Sequence, residues 1–377
     1  MTTEIETWDA VVIGAGIAGN IVAVQLADRG AKVLLVEAKR FPRPKTCGGC
    51  LNPRAIESLQ QAGFGATLES CQTEAIDRIE IYHHSRTLTI GLPHGQAVTR
   101  MTLDAAMLNE ARQRGVVVRE GVRARVEPEV KGGYRQVRLK GDAEGSLVQA
   151  RVVLSCEGLG HSSLTGVPGF SAVVTPQSRA GLGAVVEEAA VSAQYPRGAI
   201  VMAVGQHGYV GLAVCEQQRL NLAAAFDPPI LRKMSATEAV SQTLSHSGLP
   251  PLSRPESISW RGSPLLSQQT SSVAGERLLL LGDSAGYVEP FTGEGMAAAA
   301  EGALAVTPIA IEAMQGWSDH LAEEWQSSYT RRVRRSQTIC RALAWILRRP
   351  LATKVSLGAA AMAPAIGRAV AAKVSHG

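Results

Sequence analysis

The sequence predicts an α/β fold in which a domain with a parallel sheet is interrupted by a mostly antiparallel β domain and followed by a helical C-terminal tail. Three observations predict it. A βαβ pattern occupies residues 8–37, short strands without regular intervening helices fill residues 171–274, and an apolar strand with a small-residue helix returns at Leu278–Ala305. At 377 residues the chain is long enough for two domains, one of them discontinuous.

The βαβ pattern carries a glycine-rich loop between its first strand and its helix. Residues 10–13 form a buried apolar run, residues 17–29 have helical periodicity, and residues 32–37 form the next strand. The glycine spacing permits a tight turn, a close approach of backbone to a pyrophosphate, and close packing of helix on strand. A carboxylate at the end of the second strand can accept a hydrogen bond from a ribose hydroxyl. The pattern predicts a dinucleotide site that includes Gly14, Ala15, Gly16, Ala18, Gly19, Glu37 and Ala38.

The middle of the chain mixes helical and alternating patterns. After the breaker-rich loop Phe41–Lys45 and the run Cys47-Gly48-Gly49-Cys50, the spacing predicts a helix over Pro53–Gln61. Two alternating runs in residues 76–99 are typical of a hairpin in a different sheet. Leu103–Arg114 has the pattern of an amphipathic helix, and residues 116–150 that of a β-meander closing on the strand 151–155. Further strands are predicted at Ala180–Glu187, Ala199–Val204, Tyr209–Cys215 and Leu220–Phe226.

These patterns predict three regions. The discontinuous cofactor domain comprises residues 1–75, 100–170 and 275–316. The substrate domain comprises residues 76–99 and 171–274, and residues 317–377 form a basic helical tail.

A second loop suited to a cofactor lies near the end of the predicted cofactor domain. The apolar run Leu278–Leu281 delivers Asp283 to a turn, and Gly293-Glu-Gly295-Met296 opens a helix of small residues. Asp283 can accept hydrogen bonds from a polyol, and the free N–H groups at a helix start favour negative charge. Two such loops fit one extended cofactor with a diphosphate and a polyol, which is FAD. Because the sequence contains no second glycine fingerprint, the expected electron donor is NAD(P)H bound transiently or a reduced electron-transfer protein.

Three segments carry a resemblance to a known family. The run from Gly282 to Gly295 resembles the second flavin motif of geranylgeranyl reductase-like flavoproteins, a branch of the superfamily of FAD-dependent aromatic hydroxylases and flavin halogenases. Lys45–Gly49 resembles that family's cysteine-glycine loop beside the isoalloxazine, and Val98–Asp104 resembles the segment whose arginine contacts FAD. The resemblance implies a Rossmann-like FAD-binding domain of the aromatic-hydroxylase type, whose cofactor site includes Cys47, Gly48, Gly49, Arg100, Asp283, Gly293, Gly295 and Met296.

The function implied by these motifs is FAD-dependent oxidoreduction of a hydrophobic unsaturated or aromatic small molecule. Aromatic residues make up only 4% of the chain, so the walls of a substrate pocket are expected to be aliphatic. The flavin motifs favour hydride transfer from reduced flavin to a C=C bond, with Cys47 or water supplying the proton. A monooxygenase that hydroxylates through a C4a-hydroperoxide is the first alternative. The second is a flavoprotein that passes electrons to a partner protein or a membrane quinone.

Cys47-x-x-Cys50 also has the spacing of a redox dithiol or of half a zinc site. The favoured interpretation is that the two glycines admit the flavin and that Cys47 packs against it. No Cys/His pair at matching spacing accompanies the motif, so no metal site is predicted. Histidines that could act as a general acid or base are not distinguished by their spacing; they are His83, His84, His94, His161 and His207, the last of which lies with Tyr209 near a predicted substrate-domain strand.

Composition predicts a cytoplasmic protein. The six cysteines are too scattered for a disulfide scaffold, the start lacks the pattern of a signal peptide, and no apolar run reaches the roughly 18–20 residues of a membrane span. From Trp325 onward the chain has ten Lys or Arg and no acidic residue, and Arg331–Pro350 has the pattern of a basic amphipathic helix. Docking on the protein's own surface is its favoured role. Peripheral contact with the inner face of the membrane is the alternative, and no nucleic-acid partner is expected.

Overall fold

The computed structural model describes residues 5–84, 86–141, 146–289 and 294–332. Its strands, in chain order, are β1 (Glu6–Ile13), β2 (Val33–Glu37), β3 (Cys50–Leu51), β4 (Glu74–His83), β5 (Arg86–Ala97), β6 (Val117–Glu120), β7 (Arg123–Lys131), β8 (Tyr134–Lys140), β9 (Leu147–Ser155), β10 (Ala172–Val174), β11 (Ala180–Val186), β12 (Ala199–Val204), β13 (Gly208–Val214), β14 (Leu220–Phe226), β15 (Arg261–Leu265), β16 (Gln268–Thr270), β17 (Ala274–Gly275), β18 (Leu278–Leu280) and β19 (Gly286–Tyr287).

Helices connect and cover these strands. They are α1 (Ile17–Ala27), α2 (Pro53–Gln61), α3 (Gly65–Ser70), α4 (Arg100–Gln113), α5 (Ala189–Ser192), α6 (Pro228–Leu231), α7 (Ala236–His246) and α8 (Glu294–Gln315). Short turns of 3-10 helix lie at Ser162–Leu164, Glu216–Gln218, Pro255–Ser257 and Gly282–Ala285. The described chain ends in a further helical stretch over residues 319–332.

The first sheet has the strand order β17-β18-β9-β1-β2-β6, and the strands from β18 to β6 run parallel. Its central strands are apolar because both faces are covered, by α1 and α8 among others. The predicted βαβ unit is therefore present as β1, α1 and β2. The predicted meander over residues 116–150 was wrong at its start, because β6 pairs parallel with β2 and only β7, β8 and β9 run antiparallel.

The second sheet has the strand order β15-β11-β14-β13-β12-β4-β5-β3 and is antiparallel except for the pair β12 and β4. The hairpin predicted in residues 76–99 is β4 and β5, and it lies in this sheet. Helix α7 packs on one face through Val240 and Leu244, against side chains such as Val201 and Leu222. The alternate side chains of the same strands, such as Met202 and Tyr209, face the other way and form a separate apolar cluster. The α/β class with mixed sheets is thus confirmed.

Helix α7 was not predicted from the sequence. A capping box begins it, in which the Ser235 side chain accepts from the Glu238 N–H and the Glu238 carboxylate accepts from the Ser235 N–H. This helix covers the outer face of the second sheet.

Helix α8 is long and apolar enough to cross a membrane, with a mean hydropathy of 1.3 over its most apolar window. The prediction that no such segment exists was wrong in that respect. Half of that window is buried inside the protein, and α8 packs against α1 and α2 as a core helix. Beyond it, Leu321 and Trp325 are buried in the same core, although they belong to the region predicted as a tail. Residues 333–377, which contain most of the predicted basic helix, lie outside the described residues.

Candidate functional site

The glycine-rich loop joins β1 to α1 at the carboxyl edge of the first sheet. A Cβ atom on Gly14, where φ is +100°, would lie 2.5 Å from the carbonyl oxygen of Cys156. A Cβ on Gly19 would lie 1.8 Å from the carbonyl oxygen of Gly14, so helix and loop pack too closely for any side chain. The helix start at Gly16 has no side-chain cap, which leaves its first N–H groups suited to an anion.

Glu37 lies at the end of β2, with its carboxylate directed at this loop. Oε2 accepts a hydrogen bond from the N–H of Ala15 at 2.9 Å, and Oε1 accepts one from the N–H of Lys39 at 2.9 Å. Oε2 also accepts one from Nη2 of Arg43 at 3.4 Å, so Oε1 is the oxygen that can accept a further hydrogen bond, as from a ribose hydroxyl. Ala38, the next residue, is exposed.

Two arginines and a buried aspartate adjoin the loop. Arg100 donates to Asp104 from Nε at 2.7 Å and from Nη2 at 2.8 Å, and Asp104 has no exposed surface. Arg43 lies 3.8 Å from the same carboxylate and 3.4 Å from Glu37. Burial is the largest single influence and lowers the pKa of Arg100, but the charge of Asp104, the hydrogen bonds to it and the charge of Asp283 are among the contributions that together outweigh burial, so this pKa is raised and the guanidinium stays charged.

This arrangement fits a diphosphate. A Cβ on Gly16 would lie 3.4 Å from Nη2 of Arg100, so the absent side chain leaves room between loop and guanidinium. Nε of Arg43 is buried and has no hydrogen-bond acceptor among the described residues. A doubly charged group placed between the helix start and these arginines would be held by charge-assisted hydrogen bonds.

The cysteine-glycine loop lies across the cleft from the glycine-rich loop. The side-chain amide of Asn221 donates to the carbonyl oxygen of Cys47 at 2.9 Å. A Cβ on Gly49, where φ is +71°, would lie 2.9 Å from the carbonyl oxygen of Val98, whereas a Cβ on Gly48 would meet nothing within 4 Å. Gly48 thus leaves an open surface that a planar ring could cover.

The two cysteines of this loop differ in their surroundings. Cys47 is half-buried and lines the cleft, and both thiols are free. Burial, with the nearby Cys47 as a smaller cause, raises the pKa of Cys50 to about 12. Cys50 therefore stays a thiol at neutral pH, which disfavours a dithiol that exchanges electrons readily.

The second predicted motif completes the cleft. β18 leads into the turn that carries Asp283, whose Oδ2 lies 3.5 Å from Nζ of Lys45. Ser284 fixes this turn, because its hydroxyl accepts from the N–H of Gly158 at 2.9 Å. Gly295 and Met296, at the start of α8, also line the cleft, whereas Gly293 lies outside the described residues.

The far end of the cleft is walled by the inner face of the second sheet. The residues that line this end, some of them through their backbone, are glycines, aliphatic residues and two tyrosines: Gly181, Ile200, Met202, Tyr209, Gly211, Leu212, Ala223, Ala224, Ala225, Leu266 and Tyr287. None of the five candidate histidines lies in the lining of this cleft, and His207 is exposed.

The structure thus brings together predicted residues from four distant segments: Gly16, Ala18, Cys47, Gly48, Gly49, Arg100, Asp283, Gly295 and Met296 all line one cleft. Residues that sequence reasoning missed are Arg43, Asp104 and Asn221. Asp104 lies four residues after Arg100, but the helix predicted from the sequence began at Leu103, so the pair on one helix face appears only with the observed start of α4 at Arg100. Asn221 has no such local signal.

Comparison with known proteins agrees with this geometry. Residues 7–340 match the family described as FAD binding domain. A menaquinone reductase of Mycolicibacterium smegmatis is 45% identical over 62 residues, 16% of this chain and 15% of that protein. A squalene monooxygenase of Candida glabrata is 26% identical over 91 residues, 24% of this chain and 19% of that protein. The matched segments thus span less than a fifth of either relative's length.

Several solved structures are similar over almost the whole chain. The flavoprotein/dehydrogenase of Cytophaga hutchinsonii has a TM-score of 0.81 and 17% identity, covering 97% of this chain and 92% of its own. At this identity the structural similarity shows the fold alone. The family is shown by the sequence match, which covers residues 7–340. The chain belongs to the FAD binding domain family.

Proposed function

We propose that this protein is an FAD-dependent oxidoreductase that reduces a C=C bond of a hydrophobic, isoprenoid-type small molecule, as in the geranylgeranyl reductase-like branch. The observation that carries the proposal is the substrate end of the cleft. Apart from Tyr209 and Tyr287, the described lining there has no polar side chain of the hydrogen-bonding kind. Transfer of a long apolar substrate from water to such a surface is favourable, whereas a polar substrate would lose its hydrogen bonds to water.

The residues around the cleft have separate tasks in this proposal. The glycine-rich loop, Glu37, Arg43 and Arg100 would hold the diphosphate and ribose of FAD, and Asp283 would hold its polyol. Bound FAD, after reduction by NAD(P)H or by a reduced electron-transfer protein, would supply a hydride to one carbon of the double bond, whose other carbon takes a proton. Cys47, half-buried at the cleft wall, or a water molecule beside it supplies that proton.

The names of the two relatives support a hydrophobic substrate but differ in the reaction. One is called a menaquinone reductase and the other a squalene monooxygenase. Oxygen insertion into the same kind of substrate is therefore the second candidate. The apolar lining suits both, and the product distinguishes them.

The test uses the FAD-loaded protein, reduced without oxygen and mixed with geranylgeranyl diphosphate, menaquinone or squalene in separate runs. Flavin absorbance reports reoxidation, and mass spectrometry reports the product. Reoxidation without oxygen, with a product that has gained two hydrogen atoms on a side-chain double bond, supports the proposal. A product that has gained one oxygen atom, formed only when oxygen is admitted, overturns it in favour of a monooxygenase. Reduction of the quinone ring alone overturns it in favour of an electron carrier.

Two pairs of variants locate the reaction. Ala223→Phe fills the substrate end and should abolish substrate-dependent reoxidation while FAD stays bound. Ala190→Phe on the exposed helix α5 should leave both reoxidation and FAD binding unchanged.

Cys47→Ala should slow product formation by about 100-fold if the thiol donates the proton. Cys71→Ala, buried outside the cleft lining, is its control. An unchanged rate in Cys47→Ala would assign the proton to water.

A further inference from the structure

Glu216 connects the second sheet to the helix that carries Arg100. It lies in the turn between β13 and β14, and only 2% of its surface is exposed. Its Oε2 accepts from the N–H of Thr99 at 2.9 Å. Its Oε1 accepts from the hydroxyls of Thr99 and Thr102, each at 2.6 Å, and from Nη1 of Arg219 at 3.3 Å. A carboxylate with this many donors is fixed in position.

The turn that presents Glu216 has an unusual backbone. Gln217 has φ +54° and Gln218 has φ +58°, which is the left-handed region that residues other than glycine seldom adopt. They form the centre of a two-residue hairpin turn, which the N–H of Arg219 closes by donating to the carbonyl oxygen of Glu216 at 3.1 Å, and such a turn matches the twist of the flanking strands. The turn places the Glu216 side chain beside α4.

Thr99 and Thr102 belong to the first turn of α4, where Thr99 is the N-cap. Arg100 lies between them and points its guanidinium into the cleft beside Gly16. The negative charge of Glu216 at this helix start is favourable for the helix dipole as well as for the hydroxyl donors. Asp104 fixes the far end of the Arg100 side chain, and Glu216 fixes the backbone from which that side chain starts.

The same hairpin also reaches the other side of the cleft. Asn221, at the start of β14, donates to the carbonyl oxygen of Cys47. Tyr209 on β13 and Ala223 on β14 line the substrate end of the cleft. A single hairpin therefore contacts the arginine helix, the cysteine-glycine loop and the substrate space.

We propose that Glu216 is a positioning residue for FAD binding, which acts through the first turn of α4 to place Arg100 against the cofactor diphosphate. The inference goes beyond the proposed reaction, because it holds for whichever substrate and product the enzyme has. It concerns the affinity of the protein for FAD and is tested without any turnover.

The experiment is a titration of apo protein with FAD, followed by the quenching of flavin fluorescence. The variants are Glu216→Gln, Arg100→Lys and the double variant. Glutamine preserves the size of the side chain and removes its charge, and lysine preserves the charge of Arg100 and removes its forked geometry. Each single variant is expected to raise the Kd for FAD about tenfold, since each loses charge-assisted hydrogen bonds. The double variant should bind no more weakly than Arg100→Lys alone, because Glu216 acts through Arg100.

The control is Glu238→Gln. Glu238 caps α7 in the same way that Glu216 caps α4, but α7 carries no residue of the cleft lining. The Kd of the Glu238→Gln variant for FAD should equal that of the unaltered protein. An unchanged Kd in Glu216→Gln overturns the proposal. A double variant whose fold-increase in Kd equals the product of the two single fold-increases also overturns it.

A second variant applies where Glu216→Gln does not fold. Thr102→Val removes one hydroxyl donor to Glu216 and keeps the shape of the side chain. A Kd raised several-fold, together with faster hydrogen exchange at the first turn of α4, supports the positioning role. Faster exchange with an unchanged Kd assigns Glu216 to stability alone and overturns the proposal.

Discussion

Arg100 makes a two-point hydrogen-bonded pair with Asp104 one helical turn further along α4, and both side chains are buried. The pair orients the guanidinium toward the cleft, and it also neutralises a carboxylate that has no contact with water. Removing the charge of either partner leaves the other uncompensated inside the protein.

The first prediction concerns this pair. Asp104→Asn should lower the free energy of unfolding of the apo protein by about 3 kcal/mol, because Arg100 remains charged and buried without its partner. Chemical denaturation monitored by tryptophan fluorescence measures the change. Glu74→Gln, which breaks the more exposed pair of Glu74 with Arg197, should have little effect. Equal losses of unfolding free energy in Asp104→Asn and Glu74→Gln would contradict the view that burial makes the loss of Asp104 more costly.

The second prediction concerns Gly19. Gly19→Ala should prevent FAD binding and lower the melting temperature sharply, since the added methyl group would overlap the carbonyl oxygen of Gly14. Gly302→Ala is the matched control, because this residue lies within α8 and a Cβ there meets nothing within 4 Å. It should raise the free energy of unfolding by about 0.5–1 kcal/mol through helix propensity. FAD retention on gel filtration and a thermal melt measure both.

The third prediction concerns the start of α8. Arg54 donates from Nη1 to Glu294 at 3.2 Å and from Nε to Glu301 at 2.8 Å, so it ties α2 to the helix end that lines the cleft. Arg54→Ala should weaken FAD binding and lower the free energy of unfolding by about 3 kcal/mol, because Glu294 stays buried beside fewer donors. Calorimetric FAD titration and urea unfolding measure the two effects.

The control for this third prediction is Arg112→Ala, which removes the surface pair with Glu120 outside the cleft lining. It should leave the Kd for FAD unchanged and cost at most about 1 kcal/mol of stability. Wild-type affinity in Arg54→Ala would mean that the start of α8 keeps its place without the arginine.

The fourth prediction concerns alkaline pH. Burial raises the pKa of Cys50 to about 12 and that of Cys71 to about 11, both above the ordinary value of 9.0. A raised pKa means that the folded protein keeps a proton which the unfolded chain releases. The stabilisation is complete below pH 9 and is lost as the pH rises from 9 toward 12, by up to about 1.4 kcal/mol per pH unit for each thiol.

The variant Cys50→Ala isolates one of these groups. Urea unfolding of the apo protein between pH 8 and about 11 should show a shallower decline in this variant than in the unaltered chain. Parallel declines would show that the Cys50 thiol titrates normally in the folded protein.

Local patterns were sufficient to predict the cofactor half of the fold. Gly14, Gly19 and Glu37 stand at fixed spacings within one βαβ unit, and the hydrophobic periodicity around them is strong. Asp283 was equally visible, because an apolar strand leads directly into its turn. These features lie within short stretches of sequence, where spacing determines geometry.

The contacts that could not be predicted from the sequence join residues far apart in the chain. Glu216 reaches Thr99 across 117 positions, and Asn221 reaches Cys47 across 174, so no local pattern marks either contact. Helix α7 is a different case, since Ser235 and Glu238 carry a capping signal that was available but was outweighed by the surrounding strand pattern.

The indole of Trp325 donates from Nε1 to the carbonyl oxygen of Leu280 at 3.0 Å, deep in the core. Leu280 ends the strand that leads to Asp283, so a residue far along the chain supports the placement of that carboxylate. The core that supports the cleft therefore extends past α8 to Trp325 at least. A polypeptide cut at residue 316 would lack this donor to Leu280, although it still held every motif of the glycine-rich loops.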